Sequence, residues 1–354
     1  MSSSSPFMIY GATGYTGGLI VEEAVKKGLK PVVAGRNHEK VAAIASKYDL
    51  PSAVFSVDDQ SRTEMALSGI KAVLSVAGPF AHTAEKLTGA CIMQRVHYLD
   101  VTGEIDVFEL CAGRHAEAGA AGITLMPGVG FDVVPSDCLA ASVTKLVDDP
   151  VSIELAINAG GNPSRGTAKT MVESLGQGLK IRRGGKIVTQ FAPLKKQFDL
   201  GDGLSDFIAV SWGDVSTAYH STGVGDVTVY FPAVGPVKAM TAISRFAGPI
   251  LRSKGLQNYL KKKIDQGSAG PSDDVRAAAG ADLFCRVTDK GGKSATGILK
   301  TPNGYTLTAE AAVEATLSVL ENAPEAGFST PSKAFGADFV TTLSGCEMTL
   351  EKAG

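Results

Sequence analysis

The stretch "FMIYGATGYTGGLI", residues 7–20, decides the fold. Phe7 to Tyr10 form a short apolar run, and "LIVEEAVKKG" behind the glycines carries apolar residues at helical spacing. Gly11, Gly14 and Gly17 therefore sit on a strand-to-helix turn. Glycines so spaced allow a tight turn, approach of a pyrophosphate to backbone N–H groups, and close packing of helix on strand. The positive end of the helix then faces the anion. Glu22 and Glu23 stand four residues before Lys26 and Lys27, which supports the helix, and Gly28 sits where a C-terminal cap belongs. "KPVVAGR" reads as a second buried strand, closing a strand-helix-strand unit of about 30 residues, the context a dinucleotide fingerprint requires.

Working outward, "AVFSV", "KAVLSVAG", "HYLDVTG" and "GITLMPG" continue the alternation of apolar strand and helix to about Gly128. Six strands in this rhythm predict an α/β, Rossmann-type doubly wound parallel sheet. Asn37 precedes one helix as a cap, and Ser61 with Glu64 reads as a capping box before another. Beyond "PGVGFDVVPSD" the pattern changes. A helix in "SDCLAASVTKLVDD" is followed by longer strands, "VSIELAINAGG", "FIAVSWGDVSTAYH" and "GDVTVYFPAV", and by a pair turning at "DKGGK". "GTAKTMVESLGQGL" and "PVKAMTAISRFAGPILRSKGLQNYLKKKI" read as helical, so the second part is an α+β domain with a mixed or antiparallel sheet. "TAEAAVEATLSVLEN" has a strongly apolar face that suits the flank of the first sheet. The expected division is a discontinuous nucleotide domain, 1–131 with 303–354, and a substrate domain, 132–302.

The chain has 354 residues, 44% of them hydrophobic, enough for two cores. A net charge of -2 argues against nucleic acid as a general partner. "MSSSSP" reads as a short leader without the apolar core of a signal peptide, and no uninterrupted apolar run is long enough for a membrane span. Five scattered cysteines and five scattered histidines show no metal-ligand or disulfide spacing, which fits no metal and a reducing, cytoplasmic setting.

In dinucleotide folds an acidic residue closing the second strand accepts from the adenosine ribose. Here that strand ends "AGRN", and Arg36 suits a 2′-phosphate, which favours NADP(H) over NAD. The alternative is a solvated Arg36 with Asp58 or Asp59 at the ribose. At the fourth strand Ala77, Gly78 and Pro79 make a small, rigid turn beside the nicotinamide half. At the fifth, "YLDVTGE" gathers Tyr98, Asp100, Thr102 and Glu104.

"GATGYTGGL", "AGR", "SVAGPF", "YLDVTGE", "PGVGFDVVPSD", "SRGTAKT", "GPSDDVR" and "YTLTAEAAVEAT", in this order, resemble the saccharopine dehydrogenase-like oxidoreductases, and among them the trans-acting enoyl reductases. The resemblance implies a nicotinamide fold with an inserted substrate domain, a C-terminal helix returning to the first domain, and NADPH as hydride donor. It implies a small-molecule or acyl-chain substrate. Trp212, Tyr219, Tyr230 and Phe231, read as strand residues, fit an apolar channel or a plain core alike. The expected cofactor contacts are Gly11, Thr13, Gly14, Tyr15, Thr16, Gly35, Arg36, Asp58, Ala77, Gly78, Pro79 and Thr102. For catalysis, Arg165 and Thr167 at the start of a helix are candidate oxyanion donors, and Tyr98 or Glu104 candidate proton donors. A short-chain dehydrogenase would need Tyr-x-x-x-Lys; only Tyr259 and Lys263 have that spacing, inside a basic run that reads as a solvated helix face. Reduction of a conjugated C=C leads the functional readings, with an amino acid-derived C=N, or a cofactor-bound sensor without turnover, as alternatives. A homodimer is compatible with all of them.

Overall fold

A computed structural model describes residues 7–160, 163–201, 203–233 and 250–352. The chain divides into two compact units, Met1–Val134 with Tyr305–Phe335, and Pro135–Gly304 with Gly336–Gly354.

The first unit is built on a seven-stranded parallel sheet: β1 (Phe7–Tyr10), β2 (Val32–Gly35), β3 (Ser52–Val54), β4 (Ala72–Ser75), β5 (His97–Asp100), β6 (Thr124–Met126) and β15 (Gly327–Phe328). The order is β15-β6-β5-β4-β1-β2-β3, so the chain reverses direction between β1 and β4, the switch point at which such sheets bind ligands. β1, β4 and β6 are buried at every position, as helices on both faces require. Met8, Tyr10, Val73, Tyr98 and Leu125 share one core with Leu67, Leu87 and Cys111 from the intervening helices. Six strands lie where the sequence places them. The seventh, two residues long, comes from the returning C-terminal segment and is too short to carry a pattern of its own.

Local signals mostly act as read. Glu22–Lys26 and Glu23–Lys27 form i,i+4 pairs on the helix Tyr15–Lys26, Gly28 takes the left-handed conformation past its end, and Asn37 Oδ1 accepts from the Lys40 N–H. The capping box at Ser61 does not form. Asp59 caps that helix by accepting from the Arg62 N–H, because the helix begins at Gln60, two residues earlier than a Ser61 cap would allow, and Glu64 instead takes a bond from Gln60.

The second unit holds a nine-stranded mixed sheet. Its strands are β7 (Pro150–Ala159), β8 (Leu179–Arg183), β9 (Lys186–Gln190), β10 (Lys195–Asp199), β11 (Leu204–Val210), β12 (Asp226–Pro232), β13 (Gly280–Asp289), β14 (Ser294–Pro302) and β16 (Glu347–Lys352). The main path is β10-β11-β12-β7-β13-β14-β16, antiparallel except where β7 runs parallel to β12, and the hairpin β8–β9 leans on β12. One sheet face carries Phe198, Phe207, Tyr230 and Phe284 in a shared cluster. The helix Val134–Thr144 packs on the sheet so closely that a Cβ on Gly297 would lie 2.8 Å from Val143.

Three expectations need correction here. Residues 336–354, assigned to the nucleotide domain, lie with the second unit, because β16 pairs with β14 over six residues. "FIAVSWGDVSTAYH" is not one strand: it ends at Val210, and Asp214–Thr222 form a helix that Gly223 closes at φ 76°. Trp212 thus lies between strand and helix and Tyr219 on the helix, while Tyr230 and Phe231 are strand residues. The β8–β9 hairpin, turning at Gly184 and Gly185, was not anticipated, since its charged residues obscure the alternation. Part of the helical reading "PVKAMTAISRFAGPILRSKGLQNYLKKKI" lies outside the described residues; Lys254–Gln266 is helical.

Candidate active site

The fingerprint glycines divide three tasks. Gly11 has φ +92°, and a Cβ on it would lie 2.8 Å from Val76 C and Ala77 N, so the loops after β1 and β4 approach through this residue. A Cβ on Gly17 would stand 2.3 Å from the Gly11 carbonyl oxygen, which fixes the helix against the turn. Gly14 is different. It is exposed, its backbone is extended, and a Cβ would meet nothing nearer than the Gly11 oxygen at 3.4 Å. The protein needs glycine at 11 and 17 for itself; at 14 it leaves space beside a helix start.

Around this turn the structure gathers several expected residues. Gly35, ending β2, lies beside the Thr13 side chain, 3.8 Å from a Cβ position on Gly35 to Thr13 Oγ1. Arg36 follows, exposed, and its charge acts on Asp58 and on Tyr10. Asp58 is already engaged: it pairs with Lys86 and accepts from Ser56 Oγ, and the Lys86 bond together with Ser56 holds its carboxyl below the usual aspartate range. Tyr15 packs edge-on against Tyr305, ring centroids 5.2 Å apart. Thr16 is half-buried on the first turn of the helix.

The loops after β4, β5 and β6 are bound together by carboxylates. Glu104 accepts from the Phe80 N–H through Oε1 and the Ala81 N–H through Oε2, both at 2.8 Å, tying down the turn that contains Ala77, Gly78 and Pro79. Asp100, fully buried, accepts from Tyr98 Oη at 2.6 Å and from the Thr102 and Gly128 N–H groups at 2.9 Å. Burial raises its carboxyl to about 6 despite those three donors. Thr102 Oγ1 in turn accepts from the Glu104 N–H.

The candidate proton donors and one candidate cofactor contact make internal hydrogen bonds. Tyr98 is buried in the sheet core, and its hydroxyl serves Asp100, while burial and that carboxylate hold its pKa well above 10. Both Glu104 oxygens serve backbone amides. Thr102 is buried and holds the loop, so its role is internal. In the second unit Arg165 is likewise committed, its Nε and Nη2 donating to the Gly267 carbonyl at 3.1 and 2.6 Å. Thr167 gives its N–H to Ser164, the actual helix cap. Tyr259 and Lys263 lie on the helix Lys254–Gln266, with the Lys263 ammonium 5.4 Å from the exposed Tyr259 ring.

Sequence reasoning missed Asp132. It follows β6, and its carboxylate lies against Gly103, where a Cβ would come within 3.0 Å of Oδ2. Burial, then the charge of Glu104, raise it to about 7. The signal was present as an aspartate alone in the apolar run "VGFDVV", just past a parallel strand. Among the described residues no cluster of three His, Cys, Asp or Glu side chains is arranged to hold a metal, and no helix is long and apolar enough to cross a membrane.

Residues 7–126 match the model of the saccharopine dehydrogenase NADP binding domain. The match covers about a third of the chain. The chain is similar to a trans-acting enoyl reductase of Mycobacterium leprae, 29% identical over 141 residues, which are 37% of this chain and 33% of the relative. It is similar to the saccharopine dehydrogenase-like oxidoreductase of Mus musculus, 29% identical over 151 residues, 37% of this chain and 35% of the relative. The matches thus span about a third of those relatives' length. Saccharopine dehydrogenase (L-Glu forming) from Saccharomyces cerevisiae shares the fold, with TM-score 0.63 over 98% of this chain and 99% of that one, at 13% identity. Over residues 7–126 the chain thus matches an NADP-binding domain, the resemblance that its motifs carry. The site fits the group, since Gly14 leaves open the space that a pyrophosphate needs and Arg36 offers a cation beyond β2.

Proposed function

We propose that this protein is an NADPH-dependent reductase of a conjugated C=C, with Gly11, Thr13, Gly14, Tyr15, Thr16, Gly35 and Arg36 holding the nucleotide and Ala77, Gly78 and Pro79 flanking its nicotinamide half. The second unit supplies the substrate surface. The observation that carries the choice of acceptor is the state of the second unit's arginines. An amino-dicarboxylate, as in saccharopine chemistry, calls for free guanidinium groups to take its carboxylates. Arg165 is spent on the Gly267 carbonyl, Arg182 on the Val215 and Gly185 carbonyls, Arg183 donates to the Arg182 carbonyl, Arg276 pairs with Asp273, Arg286 lies beside Glu154, and Arg252 stands exposed near the start of the helix Lys254–Gln266. In contrast, Leu179, Phe191, Ala192, Pro193 and Ala209 line a small depression of about 30 Å³, an apolar surface on which an acyl chain would find no charge to satisfy.

NADPH, when bound, supplies the hydride. Hydride addition at the β-carbon places negative charge on the carbonyl oxygen, and a proton must then reach the α-carbon. Asp132 is the group this chain offers for holding that proton, because its carboxyl titrates near neutral pH. Glu104 and Asp100 keep the neighbouring loops in place by binding five donors between them.

A second reading, a cofactor-bound sensor without turnover, is favoured by one observation: Tyr98, Glu104, Arg165 and Thr167 are all engaged in internal hydrogen bonds. Stoichiometric oxidation of NADPH distinguishes the readings. A panel of α,β-unsaturated thioesters is expected to be reduced, whereas turnover of an amino acid with a keto acid points to C=N chemistry and turnover of neither points to the sensor.

A further inference from the structure

We propose that Tyr305 is a cofactor-positioning residue, which fixes Tyr15 beside the open Gly14 and so makes nucleotide affinity depend on the returning C-terminal segment. The inference rests on the NADP-binding reading of the fingerprint turn.

Tyr15 is the first residue of the fingerprint helix and the neighbour of Gly14, the one of the glycines 11, 14 and 17 at which a Cβ would meet nothing nearer than 3.4 Å. A tyrosine in that place has two side-chain torsions to settle. Tyr305 settles them from the far end of the chain, meeting the Tyr15 ring at 5.2 Å and an interplanar angle of 85°, the edge-to-face geometry that aromatic quadrupoles favour. Both rings are half-buried, so the pair stands at the surface rather than in the core.

The placement of Tyr305 is itself built. It lies on the first turn of the helix Gly304–Glu321. One turn on, Thr308 Oγ1 accepts from the Phe131 N–H at 2.9 Å, and a Cβ on Gly130 would come within 3.0 Å of the Thr308 methyl group. Farther along, Glu314 meets Lys27 at 2.6 Å near the other end of the fingerprint helix. The first contact holds the start of this helix on the loop after β6 and the second ties it to the far end of the fingerprint helix, while the tyrosines meet at the end where Gly14 lies. A helix needed only to cover apolar surface requires Leu307, Ala311, Val313 and Ala315, which are buried; a tyrosine at 305 adds nothing to that core.

The test is NADPH titration of the full chain, followed by the cofactor's fluorescence, alongside thermal unfolding without cofactor. Tyr305→Ala is expected to weaken NADPH binding about 3- to 10-fold, the scale of losing one aromatic pair, with the unfolding temperature of the free protein little changed. Tyr305→Phe keeps the ring pair and is expected to retain wild-type affinity. Glu314→Gln cuts the distal contact of the same helix and separates general loosening from the aromatic contact; affinity is expected to be unchanged. Unaltered affinity in Tyr305→Ala, or an equal loss in Glu314→Gln, overturns the inference while leaving NADPH binding intact. Absence of NADPH binding by the wild-type protein overturns the cofactor reading and this inference with it.

Discussion

Glu104 holds the Phe80 amide at 2.8 Å, and its second oxygen holds Ala81 at the same distance, so one side chain clamps the loop after β4 to the loop after β5. Sequence position suggested an acid poised for chemistry. The geometry makes it a fastener for the Gly78–Pro79 turn. Glu104→Gln retains one acceptor oxygen and loses the charge, which should cost about 1–3 kcal/mol of stability, the range for a charge-assisted bond and an amide left unsatisfied. Thermal unfolding checks the loss. NADPH affinity should fall as well, because the turn it releases flanks the proposed nicotinamide site; a variant as stable as wild type would refute the clamp.

Arg36 is exposed at the end of β2, while Asp58, the alternative ribose acceptor, is occupied by Lys86 and Ser56. Arg36→Ala should therefore weaken NADPH by about 1.5–3 kcal/mol and leave NADH nearly unchanged, since only the 2′-phosphate meets the guanidinium. Equal losses in titrations with the two cofactors would assign Arg36 to some other task.

The legible parts of this protein are those whose cause is local. Six strands of the first sheet, the fingerprint turn and the Asn37 cap follow from apolar period, glycine spacing and a single side chain. Tertiary pairing is not written locally, so β15, the β8–β9 hairpin and the allegiance of residues 336–354 escaped a sequence reading. At the site the same division appears. Gly14 and Arg36 are placed by position in a motif, whereas the hydrogen bonds of Glu104 to Phe80 and Ala81 and of Arg165 to Gly267 join distant parts of the chain and leave no local sign. Asp132 is the reverse, a residue without a motif of its own whose environment makes it notable.

That environment has a pH signature. Asp132 is held near 7 in the folded chain, against about 3.9 for an unfolded aspartate, so the folded protein keeps a proton that the unfolded chain releases. Its contribution is fully present below about pH 4 and is lost as pH rises through about 7. Asp100, raised to about 6, acts in the same direction. Asp132→Asn should remove this group's share of the decline, which runs from about pH 4 to about 7. Relative to wild type, its unfolding temperature should rise at pH 8 and converge toward pH 4, with only the Asp100 step remaining. Parallel curves for the two proteins across that range would show that Asp132 is an ordinary carboxylate.

Gly14 and Gly11 provide the sharpest separation of cofactor binding from folding. A side chain at 11 is forced into φ +92° and into backbone atoms 2.8 Å away, whereas one at 14 has extended backbone and no contact tighter than 3.4 Å. Gly11→Ala should thus lower stability by roughly 1–3 kcal/mol, the scale of strain at a special backbone position. Gly14→Val should leave the free protein's unfolding temperature nearly unchanged, because only a ligand occupies the space its side chain enters. NADPH titration of Gly14→Val should show binding lost, since the methyl groups stand where the pyrophosphate must approach the backbone. The reverse pattern, an unstable Gly14→Val that still binds NADPH with wild-type affinity, would mean that this glycine serves the turn alone and that the nucleotide is held elsewhere.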